Sequence, residues 1–123
     1  TFREGYVTQK LLNHYGLGIL TVLMSKKLLK KKSFNSNYEI IGDFDFFIKL
    51  SLKNYFGYIQ KPLAIYRVHS ENFSYKKIDL WIKELENWIS KNDKKYKRNG
   101  FYLKNQKMYL NKLRIKKIIK RYF

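Results

Sequence analysis

The chain has no cysteine and only one proline, Pro62. The lack of cysteine excludes disulfides and thiolate metal sites and fits a cytoplasmic protein. Acid is scarce too: nine Asp and Glu stand against 27 Lys and Arg, for a net charge of +18 over 123 residues. No apolar run approaches the roughly 18 to 20 residues of a bilayer-crossing helix. The longest, Leu17 to Met24, has the length of a strand. No charged start, apolar run and small-residue cleavage site open the chain in the manner of a signal peptide. Thr1 in place of methionine reads as part of a longer protein. The length is that of one ordinary domain, enough to bury a real core.

The basic residues are unevenly placed. No acid follows Asp93, and the stretch from Lys94 to Phe123 holds twelve Lys and Arg. Such a tail implies a polyanionic partner: phosphate, nucleic acid or an anionic membrane surface. The chain is also rich in Lys, Asn, Ile, Phe and Tyr together, the bias of an AT-rich genome, which accounts for charge without any partner.

Periodicity divides the chain. Leu17 to Met24 (LGILTVLM) is apolar with β-branched residues and predicts a buried strand. Ser25 predicts the cap of a short helix through Leu28 and Leu29, and KKKSFNSNYE a loop. From Asp43 to Tyr55 the pattern is helical, with Phe44, Phe47, Ile48 and Ser51 on one face and Gly57 as a stop. YIQKPLAIYRVH reads as an extended segment past Pro62. Alternation there puts Arg67 and His69 on one side. Ser74 predicts the cap of a long helix carrying Ile78, Trp81, Ile82, Leu85, Trp88 and Ile89 as an apolar stripe. The polar run SKNDKKYKRNG ends that helix, Gly100 marks a break, and a basic helix follows. Strand, helix, extended segment and helix in succession predict an α/β domain or its latter half.

Asp43 and Asp45 stand inside the apolar run IIGDFDFFIKLS. A carboxylate next to a core is costly unless something pairs with it or uses it. One reading makes Asp43 an N-cap and Asp45 a first-turn anion favoured by the helix dipole. The other makes Asp43 a general base, held at a helix start to take a proton from a hydroxyl nucleophile. Spacing alone leaves both open. His69 beside Arg67 has the chemistry to serve phosphate, or a metal that carries phosphate. His14 has no such company and reads as a loop residue.

The ordered pair "GDFDFFIKLS…GYIQKPLAIYRVHSENFS" resembles the C-terminal part of the catalytic domain of family 2 glycosyltransferases. Upstream, "LLNHYGLGILTVLMSKKLL" is similar to that family's acceptor-side strand and the short helix after it. The resemblance covers roughly residues 8 to 75. It implies the C-terminal, acceptor-side half of a GT-A domain over residues 1–75 and a helical extension with a basic tail over 76–123. By position it implies Asp43 as catalytic base, Asp45 as a supporting residue, Arg67 at the donor diphosphate and His69 at its metal. Gly42 stands where the family usually has Glu. Asp43-Phe44-Asp45 spells Asp-x-Asp but opens a helix, unlike the family's metal motif.

The implied function is an inverting transfer of a sugar from a nucleotide-diphosphate donor to a hydroxyl of a saccharide or lipid-linked acceptor. Its setting would be cell-surface polysaccharide or lipopolysaccharide synthesis at the inner face of the plasma membrane. The implied cofactor is Mg²⁺ or Mn²⁺, bound mainly by a nucleotide-binding half that this chain does not contain. This segment would then be inactive alone. Two other readings stand beside it: a basic nucleic-acid-binding module and a degenerate, non-catalytic transferase segment. Charge and abundant aromatics suit nucleic acid. The absence of a recognition motif, and aromatics at core spacings, speak against it. Within the C-terminal helix, Lys107, Arg114, Lys117 and Arg121 predict a basic face for a membrane surface, with Met108, Ile115, Ile119 and Tyr122 nearly opposite. Leu103 and Leu110 interrupt that basic face.

Overall fold

Helices form where apolar residues recur at three- and four-residue spacing, and no sheet forms among the described residues. The computed structural model describes residues 4–31, 33–67 and 77–122. Its helices are α1 (Thr8–Asn13), α2 (Lys26–Lys31), α3 (Gly42–Ser51), α4 (Ile78–Arg98) and α5 (Lys104–Tyr122), with a 3-10 turn at Ile19–Thr21. This corrects the expectation of an α/β, GT-A-type half domain: the described chain is helical.

The reason lies in the backbone. A strand needs a neighbour to receive its N–H and C=O groups. The only bridge among the described residues joins Gly5 to Phe56, antiparallel and isolated. The run expected as a buried strand, 17–24, is extended at Gly18 and Val22 and turns between them. There Thr21 N–H reaches Gly18 C=O at 2.9 Å, and the Thr21 hydroxyl reaches the same oxygen at 2.7 Å. Leu17, Val22 and Met24 pack inward, while Leu23 is 99% exposed. The segment 58–67 is likewise without a ladder, and Ile65 is 97% exposed.

The chain divides into two compact units, Thr1–Arg67 and Val68–Phe123. The expected boundary at 75/76 lies outside the described residues.

In the first unit α3 is central. Phe44, Phe46, Phe47, Ile48 and Leu50 surround its axis, so it is buried on most sides rather than along one stripe. Phe46, Phe47 and Leu50 collect Tyr15, Leu17, Val22, Met24, Leu28 and Phe56, and Phe34 stacks on Phe46 at 4.3 Å. Against another part of α3 lies α1, whose Leu11 and Leu12 are fully buried with Val7. The Ser51 and Thr8 hydroxyls meet there at 3.1 Å, and Ser51 also donates to Ile48 C=O. Ser25 accepts the Lys27 N–H at the start of α2, as its sequence position predicts.

The second unit is a helical hairpin. Leu85, Trp88, Ile89 and Tyr96 of α4 are buried, as are Leu103, Leu110 and Leu113 on or beside α5. The polar run does not end α4 near Ser90; the helix continues to Arg98. Gly100 then takes φ +79°, a conformation glycine adopts without a side-chain clash. Phe101 N–H bonds Tyr96 C=O at 2.9 Å, Gly100 N–H bonds Lys97 C=O, and the Tyr96 and Phe101 rings meet edge to face. This is a Schellman ending with its hydrophobic contact.

Among the described residues, ion pairs that cross the hairpin join Asp79 to Lys117, Glu86 to Arg114, and Asp93 to Lys107. The acids recur every seven residues on α4, and their cations run in the opposite order on α5. The basic face expected to be free on α5 is therefore largely turned to α4. Leu103 and Leu110, which seemed to interrupt that face, form the packed seam instead.

Candidate functional site: a carboxylate at the start of α3

Gly42 and its two following aspartates begin α3, and the N-cap position belongs to Ile41, which gives no side-chain cap. Asp43 is therefore not the N-cap. Both acids lie in the first turn, where the partial positive charge of the helix end favours an anion. One residue apart along a helix is about 100° around it, and a two-residue step sends their side chains to different surroundings.

Asp45 points into the first unit and is 2% exposed. Its Oδ2 lies 2.6 Å from Lys49 Nζ, one turn on, and the lysine reaches partly into solvent. A buried carboxylate so paired is a structural anion. Asp43 is half-buried. Its Oδ1 accepts the Phe44 N–H at 2.7 Å, and its Oδ2 accepts the Tyr15 hydroxyl at 3.3 Å, long for an O–H···O bond. No cation pairs with Asp43 among the described residues.

Tyr15 comes from the turn after α1, 28 residues away, and its ring packs edge to face on Phe44 at 5.2 Å. Burial pushes its phenol well above the usual value, and the Asp43 charge and hydrogen bond push it further the same way. At neutral pH Tyr15 is thus a protonated donor aimed at a carboxylate. Sequence reasoning missed it. NHYG gave no local signal, because its partner lies in another element.

Arg67 is exposed at the end of the extended segment, and no hydrogen bond or ion pair joins it to Asp43 or Asp45 among the described residues. His69 and Ser74 lie outside the described residues. No group of three or more His, Cys, Asp and Glu side chains gathers where it could hold a metal among the described residues. Asp45 is engaged by Lys49, and Asp43 by a hydroxyl and an amide, so this pair does not fit a divalent cation. No helix among the described residues is long and apolar enough to cross a membrane.

No family model, curated protein or solved structure matches this chain. The likeness to family 2 glycosyltransferases rests on the quoted motifs alone.

Proposed function

We propose that this chain supplies the acceptor-activating carboxylate of an inverting glycosyltransferase that uses a nucleotide-diphosphate sugar. The observation that carries the reading is the contrast between its two neighbouring acids. Asp45 is buried and paired with Lys49, whereas Asp43 stands at a helix start, partly exposed, with a hydroxyl and a backbone amide as its donors among the described residues. A general base needs such a carboxylate, ionised and within reach of solvent-side ligands.

In this reading an acceptor hydroxyl displaces the Tyr15 contact at Oδ2 and gives its proton to Asp43. The acceptor oxygen then bonds to the anomeric carbon as the bond from that carbon to the diphosphate oxygen breaks. The electron pair of that bond leaves with the nucleotide diphosphate, and attack from the opposite side inverts the centre. Tyr15 holds Oδ2 until the acceptor arrives, and Asp45 with Lys49 anchors the helix turn that presents Asp43. In this reading the diphosphate and any Mg²⁺ or Mn²⁺ would be held mainly elsewhere in the working enzyme, with Arg67 as this chain's candidate for the diphosphate and His69 for its metal. The acceptor would be a saccharide or lipid-linked hydroxyl of a cell-surface polymer.

The test uses the natural full-length polypeptide, screened for nucleotide diphosphate release from a panel of nucleotide sugars. Asp43→Asn is expected to lower turnover by about a hundredfold or more while nucleotide binding and the thermal transition stay in place. Near-normal turnover in that variant would remove Asp43 from the chemistry and leave it as a helix-start anion.

A further inference from the structure

The second unit has two apolar faces where a helical hairpin needs one. On α5 the seam toward α4 is made by Leu110 and Leu113, continued from Leu103. On the far side of the same helix stand Met108, Ile115, Ile118 and Ile119, each between 50% and 57% exposed. At 100° per residue, Met108, Ile115 and Ile119 fall within about 40° of one another and opposite the seam. Ile118 widens the stripe. Burial against α4 cannot account for these residues, because α4 is on the other side.

The charge around this stripe is of one sign. Helix α5 contains no acid. The α4 acids that pair with it take Lys107, Arg114 and Lys117, on or beside the seam. Lys104 and Lys112 are exposed and border the outward stripe. A second copy of this chain would bring its own +18 charge to the same place, which opposes self-association. Nucleic acid would satisfy the lysines but gain little from isoleucines, which cannot stack on bases. An anionic lipid surface takes both, with apolar side chains at the acyl boundary and lysines among the headgroups.

We infer that the outward face of α5, centred on Met108, Ile115 and Ile119, docks the protein on an anionic lipid surface. The sequence set Met108, Ile115, Ile119 and Tyr122 opposite a basic face of Lys107, Arg114, Lys117 and Arg121; Lys107, Arg114 and Lys117 are paired with α4, so the apolar side and its own bordering lysines carry the docking. The inference stands independently of Asp43, since it needs no catalysis.

The intact 123-residue chain is sedimented with vesicles of phosphatidylglycerol and phosphatidylcholine, and with phosphatidylcholine alone. Binding is expected only to the anionic vesicles, weakened by added salt. Ile115→Gln with Ile119→Gln is expected to lower the partition coefficient about tenfold or more. Gln is a good helix former, so circular dichroism and the melting temperature should be unchanged. Point substitutions are preferable to deleting residues 101–123, which would strip the seam from Leu85 and Trp88. Vesicle binding by the double variant equal to that of the parent would overturn the inference. So would concentration-dependent dimerisation that the double variant abolishes, which would give the face to a second copy. Tighter binding to single-stranded nucleic acid than to vesicles would overturn it as well.

Discussion

The two units of this protein solve the same problem in opposite ways. In Val68–Phe123 the described backbone is almost wholly helical, so its hydrogen bonds close within a few residues, and two long helices need only meet along a seam. In Thr1–Arg67 the helices are short, the turns and extended segments are many, and a single buried helix, α3, holds them by its phenylalanines. The hairpin keeps Asp79, Glu86 and Asp93 at its edge in exposed pairs and buries one acid, Glu84. The first unit puts Asp45 into its core and Asp43 at the rim. Local bonding makes the second unit legible and robust. Dependence on distant contacts is what brings the Tyr15 hydroxyl to Asp43 in the first unit.

The largest test of this contrast is truncation of each core. Trp88 and Phe47 are almost fully buried, and Trp88→Ala or Phe47→Ala should each cost about 3 to 5 kcal/mol. Both tryptophans, Trp81 and Trp88, lie on α4, so tryptophan fluorescence reports the hairpin. In urea, Phe47→Ala should shift the far-ultraviolet transition and leave the fluorescence transition in place. If both probes shift together, the cores are not separate.

A subtler effect concerns Tyr15. Its phenol titrates higher in the folded protein than in the unfolded chain. Below the ordinary tyrosine value near 10, both states hold the proton and stability does not depend on it. Above that value the unfolded chain releases a proton that the folded state keeps, so stability falls as pH rises. Urea midpoints measured from pH 8 to 11 should therefore fall less steeply in Tyr15→Phe than in the parent. Equal slopes would show that the Tyr15 phenol is not buried beside Asp43 as the fold places it.

The smallest effect belongs to the ion pairs across the hairpin. Their side chains are roughly half exposed, so each is worth at most about 1 kcal/mol. Glu86→Gln should lower the melting temperature slightly at low salt and not at all in 0.5 M salt, near the roughly 3 to 10 Å screening range. A large loss that persists in salt would mean that the pair acts through packing rather than charge.

Several elements could be read locally. The start of α2 at Ser25, the helix after Gly42, the apolar stripe of α4 and the break at Gly100 all follow from spacing and turn chemistry within a few residues. The misreadings share a cause. Leu17 to Met24 has the composition of a strand, but composition cannot say whether a neighbouring strand exists. Asp43 has the spacing of a cap, but Ile41 occupies that position. Leu103 and Leu110 look misplaced on an isolated wheel and make sense only once α5 packs on α4.

By itself, the sequence determined that α2 to α5 are helices but gave no sign of α1, because the 3.6-residue period and the Gly100 turn act through bonds inside one segment and the six residues of α1 are too few to show that period. It also determined that the surface is cationic and that acid is rare enough for each carboxylate to matter. Only the tertiary structure decided what those residues face. It brought Tyr15 to Asp43 across 28 residues, gave Asp45 to Lys49, and turned one basic face of α5 toward α4 while leaving isoleucines outward. Such pairings depend on which surfaces meet, and that is settled by burial of the whole unit rather than by any local run of residues.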